Sequence, residues 1–255
     1  INIDMTGAQI RQKKLALLIG NNSYVTEEPL TCCINDVHDL SEKLRSIDFT
    51  ATALTDADFT AMRRTIDDFI DSISMNDLVV FFFAGHGTQW NDQNYLLPID
   101  SDRIKTKEHL KTRAINAQDT LELMSNNNPA ATIFLLDCCR DYCVKNEALL
   151  GPRTRGASAS PTGLTSMEAV GDSIIVFACA PGKLAQDVAR NGRNGLFTFH
   201  LLQHIAKPNA DIEILMRDVC KGVSNESKGN QKPHRVSSIQ SQHISLTTVG
   251  TKIGR

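Results

Sequence analysis

An α/β fold, with a mostly parallel sheet and helices on both of its faces, is what this sequence predicts. Three observations lead there. Short apolar runs closed by turn residues alternate with segments whose apolar residues recur at steps of three and four. The most apolar run, Leu78 to Ala84, is continuous rather than alternating, as in a strand covered on both faces. Strand following helix along the chain implies right-handed crossovers between parallel strands.

The elements follow in order. Leu15 to Ile19 is a buried strand closed by Gly20-Asn21-Asn22. Ile34, Val37, Leu40, Leu44 and Ile47 mark an amphipathic helix, with Asn35 or Asp36 near its start. Ala51 to Leu54 is a shorter strand, and Phe59, Met62, Ile66, Phe69 and Ile73 mark a second helix. After the Leu78 to Ala84 strand come a short helix over Thr120 to Met124 and buried strands at Ala131 to Leu136 and Ser173 to Ala178. A helix through Leu196, Phe199, Leu202 and Ile205 and another through Ile212, Leu215, Met216, Val219 and Val223 follow. His243 to Thr248 is read as the closing strand. Gly151 to Thr165, rich in Gly, Ser, Ala, Pro and Thr, reads as a mobile loop carrying Arg153 and Arg155. The organisation expected is an extension over 1–13, one domain over 14–248 with a flexible loop at about 145–172, and a tail over 249–255.

Composition excludes several classes. Hydrophobic residues are 41% and charged residues 22% of the chain, too apolar for disorder. A formal net charge of −2 creates no basic field for nucleic acid or anionic lipid, so neither nucleic acid nor membrane is an expected partner. The longest apolar runs reach only a third of the roughly 20 residues a membrane helix needs. No N-terminal stretch has signal-peptide order, and a chain beginning at Ile1 reads as an excised domain or processed product. The seven cysteines include the adjacent pairs Cys32-Cys33 and Cys138-Cys139, with no CxxC and no zinc-like spacing. A reducing, cytoplasmic setting follows, with Cys32, Cys33, Cys143, Cys179 and Cys220 as packing residues.

Two strands end unusually, one in Ala84-Gly85-His86-Gly87 and the other in Leu136-Asp137-Cys138-Cys139-Arg140. Ligands of open α/β sheets bind beyond the carboxyl ends of the strands, so a histidine and a cysteine reach the expected edge. Singly, each residue type is more often structural than catalytic. Together they form a thiol–imidazole combination, in which the imidazole deprotonates the thiol and later protonates the leaving amine.

Asp137-Cys138-Cys139-Arg140 resembles the D-x-C signature of metacaspases and paracaspases, and Gly20-Asn21-Asn22-Ser23-Tyr24, Ala84-Gly85-His86-Gly87 and Asn194-Gly195-Leu196-Phe197 are similar to motifs of the same group. The separation of His86 from Cys139 is close to the roughly 50 residues noted for caspases. The resemblance spans Leu15 to about Leu246 and is closest to the paracaspases. It implies a caspase-like three-layer sandwich with a mostly parallel central sheet of about six strands. It also implies Cys139 as nucleophile, Cys138 as its buried neighbour, His86 as acid and base, and an oxyanion hole from the N–H groups of Gly87 and Cys139.

Paracaspases have an acidic specificity pocket, whose carboxylates map onto Asp36, Asp137 and Asp187, the last where the family has glutamate. Three carboxylates suit the planar fork of a guanidinium better than the point charge of lysine. The expectation is cleavage of protein substrates after arginine, with lysine slower and aspartate refused. Asp36 as a mere helix cap and Asp187 as a solvated loop residue are the bland alternatives.

Trp90-Asn91-Asp92-Gln93-Asn94 offers one carboxylate where calcium-dependent relatives carry an acidic cluster, so no metal and no calcium requirement are expected. Arg153 and Arg155 are possible self-cleavage sites, and the resemblance implies a homodimer on activation, through a last strand near His243 to Thr248. The alternative class is a catalytically weak caspase-like scaffold acting through protein–protein contacts.

Overall fold

The computed structural model describes residues 12–27, 29–139, 166–180, 188–241 and 243–247. In chain order the strands are β1 (Lys14–Gly20), β2 (Thr50–Thr55), β3 (Leu78–Trp90), β4 (Gln93–Leu96), β5 (Ile115–Asn116), β6 (Ala131–Cys139), β7 (Ser173–Phe177) and β8 (His234–Ser237). The helices are α1 (Cys33–Arg45), α2 (Phe59–Ser72), α3 (Lys107–Arg113), α4 (Ala117–Ser125), α5 (Leu196–His204) and α6 (Ile212–Glu226). The main sheet runs β2-β1-β3-β6-β7-β8, parallel throughout except for β8. It is the six-stranded, mostly parallel sheet expected.

The unbroken apolar runs are explained by the two cores. Val80, Phe82 and Ala84 of β3 face one core with Val37 and Leu40 of α1, Phe197 and Leu201 of α5 and Met216 of α6. Val79, Phe81 and Phe83 face the other with Met62 and Ile66 of α2 and Leu121 of α4. Alternate side chains point to opposite faces, and both faces are covered, so every position along the strand must be apolar. Helix starts are set locally. Asp58 caps α2 by accepting from Ala61 N–H, Asn116 caps α4, and Asp211 caps α6.

Four differences from the sequence reading have physical causes. First, β3 does not stop at Ala84 but continues to Trp90 and folds back on β4. Asn91 and Asp92, both at positive φ, form the two-residue turn between them. The segment weighed for calcium is therefore a hairpin turn.

Second, residues 243–247 are not a strand. Ile244 and Leu246 alternate as in a strand, but they insert into the α1–α5–α6 core, and the backbone is pinned to the start of α6 through Ile212 N–H to Ile244 O at 2.8 Å. The closing strand is β8, a half-exposed edge strand whose polar sequence, His234-Arg235-Val236-Ser237, hides it from an apolar search. Third, α5 buries Phe197, Thr198, His200 and Leu201 as well as the expected Leu196, while Phe199 and Leu202 are only partly buried against the core. Fourth, residues 167–172, read as part of the flexible loop, pack beside α4: Met167 is buried, and Gln118 exchanges two hydrogen bonds with the Glu168 backbone.

Arg153, Arg155 and Asp187 lie outside the described residues, as does Cys143. Among the described residues no helix is long and apolar enough to cross a membrane.

Phe134 of β6 is fully buried and stacks on Phe81 of β3 with ring centroids 4.5 Å apart. Phe134→Ala is expected to lower the unfolding free energy by about 3–5 kcal/mol, read as a lower denaturant midpoint at unchanged slope.

Candidate active site

His86 and Cys139 form the last pair of the β3–β6 ladder, opposite one another where β6 ends and β3 runs on into its hairpin with β4. Cys138, one residue earlier, is buried in the α2–α4 core, while Asp137 lies on the α1–α5 face. The sequence-based division between a packing Cys138 and a candidate nucleophile at Cys139 thus follows strand alternation up to Cys138.

The Gly20–Tyr24 turn builds the floor beneath His86. Gly20 lies so close to α1 that a Cβ would stand 2.5 Å from the Cys33 carbonyl oxygen. Asn21, fully buried, accepts from Ala57 N–H at 3.0 Å and donates to Leu97 O at 3.2 Å. Asn22 Oδ1 accepts from Cys33 N–H and serves the start of α1. Ser23 and Asn22 donate to Asp56. Burial opposes ionisation of Asp56, but these hydrogen bonds together hold its carboxyl below the usual range.

Tyr24 packs against His86. Its ring lies 4.4 Å from the imidazole, centroid to centroid. Its hydroxyl accepts from His86 N–H at 2.7 Å and donates to Leu97 O at 3.2 Å. Leu97 N–H still donates to His86 O at 3.0 Å. The phenol is therefore inserted into one of the two ladder bonds that His86 and Leu97 would exchange. Burial pushes the Tyr24 hydroxyl well above its usual pKa, so it stays a donor. Gly85 admits it, because a Cβ there would lie 2.5 Å from the phenolic oxygen.

The same ladder orients Gly87. Leu97 N–H to His86 O makes Gly87 and Leu96 a non-hydrogen-bonded pair. The Gly87 N–H thus points away from β4, towards the side on which β6 ends.

Two of the three expected pocket carboxylates come together. Asp36, 2% exposed on α1, accepts at Oδ1 from Asn194 Nδ2 (3.0 Å) and Gly195 N–H (3.1 Å). The helix-cap alternative is set aside, because Asp36 lies inside the first turn and Cys32 is the N-cap residue. Asp137 accepts from Thr198 Oγ1 at 2.9 Å. Burial, and next the neighbouring Asp137 charge, raise the Asp36 pKa to about 8. The two carboxylates therefore share an electrostatic penalty. Among the described residues no group of three or more His, Cys, Asp and Glu is arranged to hold a metal ion.

Sequence reasoning assigned no role to Tyr24, Asn194 or Thr198, and passed over Asp39 and Arg193. Tyr24 and Asn194 lie inside motifs that the resemblance had picked out, which was the available signal. Asp39 and Arg193 had none.

The caspase-domain family model matches residues 13–244. The chain is 25% identical over 233 residues to the mouse mucosa-associated lymphoid tissue lymphoma translocation protein 1 homolog, covering 90% of this chain and 26% of that protein. It is 25% identical over 229 residues to the human protein, covering 89% and 26%. The chain therefore spans about a quarter of the length of the curated relatives it matches. Caspase-1 from Spodoptera frugiperda superposes with a TM-score of 0.63 at 14% identity, over 94% of this chain and 92% of that one. That likeness is one of fold.

Asp36 also links stability to pH. Its folded pKa of about 8 exceeds the ordinary 3.8, so between these values the unfolded chain releases a proton that the folded chain keeps. The contribution of neutral Asp36 is complete at low pH and lost as pH rises towards 8. Asp36→Asn keeps the carbonyl acceptor and removes the titration. Relative to the parent it is expected to gain stability with rising pH, by at most about 1.4 kcal/mol per pH unit, measured from denaturant midpoints at pH 5 and 7.5.

Proposed function

The chain belongs to the caspase domain family, and we propose that it is a cysteine endopeptidase that cleaves protein substrates after arginine. The observation that carries this reading is the convergence of Asp36 and Asp137 beside the strand end that bears Cys139. Asp137 stands two residues before Cys139 on β6, which puts the acidic pair and the proposed nucleophile on one strand end.

The proposed reaction runs from these positions. His86 takes the Cys139 proton, and the thiolate attacks the scissile carbonyl carbon. The tetrahedral oxyanion accepts from the N–H groups of Gly87 and Cys139. Its collapse breaks the C–N bond as His86 returns the proton to the leaving amine. Water, deprotonated by His86, then hydrolyses the thioester. Tyr24 supports His86 from below, since its hydroxyl occupies the backbone N–H and its ring abuts the imidazole. The pocket distinguishes side chains by charge and shape. A guanidinium offers paired donors to two carboxylates, lysine offers a single compact charge, and aspartate meets like charge. Substrates are thus proteins or peptides with a basic residue before the scissile bond, and no metal ion takes part. Pairing of two copies on activation is assigned to β8, which lies antiparallel at one edge of the sheet.

A fluorogenic peptide panel tests the specificity. Arginyl substrates should turn over fastest, lysyl ones more slowly and aspartyl ones not at all. Cys139→Ala should lose at least about 10³-fold in kcat. Fastest turnover of aspartyl peptides would overturn the arginine pocket, and failure of an arginine-directed electrophile to label Cys139 under reducing conditions would favour a scaffold.

The carboxylate pair predicts a pH effect of definite sign. A neutral Asp36 attracts a guanidinium weakly, so KM for arginyl peptides should fall as pH rises towards 8. Asp137→Asn should raise KM roughly 30-fold or more, the cost of removing one partner of a buried charge pair.

A further inference from the structure

The contacts around Asp36 extend to residues outside the acidic pair, and their hydrogen bonds have a readable direction. Asn191 Oδ1 accepts from the backbone N–H groups of Arg193 (3.1 Å) and Asn194 (3.2 Å), so its Nδ2 is the atom that donates to Asn194 Oδ1 at 2.7 Å. That contact fixes the Asn194 amide in turn. Its Nδ2 faces α1 and donates to Asp36 Oδ1 and to Asp39 Oδ2, both at 3.0 Å. Arg193 grips Asp39 from the other side with Nε to Oδ2 at 2.8 Å and Nη2 to Oδ1 at 2.7 Å, a bidentate pair. Asn35 Nδ2 donates to Arg193 O at 3.2 Å. Three residues of one helix, Asn35, Asp36 and Asp39, therefore hold the loop that enters α5.

We propose that the Arg193–Asp39 ion pair is a positioning device for the arginine pocket, satisfying Asp39 so that Asn194 stays committed to Asp36. This rests on the reading of the site as an arginine-specific peptidase, and it deepens that reading by naming what sets the strength of the pocket. Asn194 presents one amide nitrogen to two carboxylates. With Arg193 in place Asp39 has charged donors of its own, and they hold its carboxyl below the usual range. Oδ1 of Asp36 is then taken by Asn194 and Gly195. Oδ2 has among the described residues only the 3.3 Å contact from Gly195 N–H, which leaves it acceptor capacity for a guanidinium donor.

Without Arg193, Asp39 becomes an unneutralised carboxylate one helical turn from Asp36. It competes for the Asn194 amide and adds its charge to the repulsion. Among the described residues, the charged groups facing Asp36 are Asp137 from β6, Asp39 from its own helix and Arg193 from the loop before α5. Only the last favours the ionised state. Removing it should therefore weaken arginine binding and move its onset to higher pH.

The test is a steady-state comparison of the parent, Arg193→Gln, Arg193→Lys, and the double variant Arg193→Gln with Asp39→Asn. Each is assayed on an arginyl fluorogenic peptide from pH 6 to 9, with active sites counted by an arginyl electrophile. Arg193→Gln should raise KM about tenfold at pH 7, the size of one unit of pKa change. Its kcat should stay within about twofold, and the fall of KM with pH should shift upward. Arg193→Lys, a single-point donor, should recover part of the loss. The double variant should recover most of it, because the uncompensated Asp39 charge is gone.

A double variant as impaired as Arg193→Gln would mean that the ion pair only ties the loop to the helix, and would overturn the proposal. So would an Arg193→Gln enzyme with the parental KM and pH profile. A parent that does not hydrolyse arginyl peptides would overturn the proposed function and this inference with it. A parent that does, with the failures just named, overturns this inference alone.

Discussion

Parallel pairing of β3 with β6, from Leu78 against Ala131 to His86 against Cys139, is the constraint on which the rest of this structure depends. A slip of one residue would exchange the two faces of a strand buried on both sides. Phe81 and Phe134, stacked in the α2–α4 core, would then be driven towards α1 and α5. Packing in the middle of the sheet thus determines alignment at its edge. His86 and Cys139 meet in register because several apolar rungs below them fit in one way only.

Where the ladder ends, polar contacts take over from packing. The Tyr24 hydroxyl occupies a ladder bond between His86 and Leu97 without leaving either group unsatisfied. It is both donor and acceptor, which a phenol held neutral by burial can be and a carboxylate cannot. Gly85 and Gly20 make room for this arrangement, one beneath the phenol and the other against the first turn of α1. Beyond the inserted hydroxyl, the alternation of β3 with β4 turns the Gly87 N–H towards β6. One tyrosine thus connects the first strand, the histidine and a backbone donor.

The acidic pair works against folding and in favour of binding. Two carboxylates beside each other in a buried site oppose each other's ionisation. The cost is limited by donors from one short segment: Asn194 and Gly195 before α5 for Asp36, and Thr198 in its first turn for Asp137. In the proposed function, a bound guanidinium would remove the remaining penalty. The Arg193–Asp39 pair lies half-exposed beside it, where a surface ion pair would ordinarily contribute little. Its proximity to a buried titrating group is what gives it leverage.

The sequence by itself determined the alternation of buried strands and amphipathic helices, because the period of apolar residues records which faces are covered. Through the order of short motifs it also determined that a histidine and a cysteine end adjacent strands. It misread Ile244 and Leu246, since two alternating apolar residues look alike whether they enter a sheet or dock beneath a helix. It overlooked β8, whose polar residues suit an edge rather than a core. The tertiary structure alone decided that Asp36 and Asp137 approach each other, that Tyr24 enters the His86 ladder, and that Asp39 finds Arg193 more than 150 residues away. Hydrogen bonds and charges act through space between residues remote in the chain and leave no period behind them, whereas burial repeats along every strand and helix and can be read from the sequence.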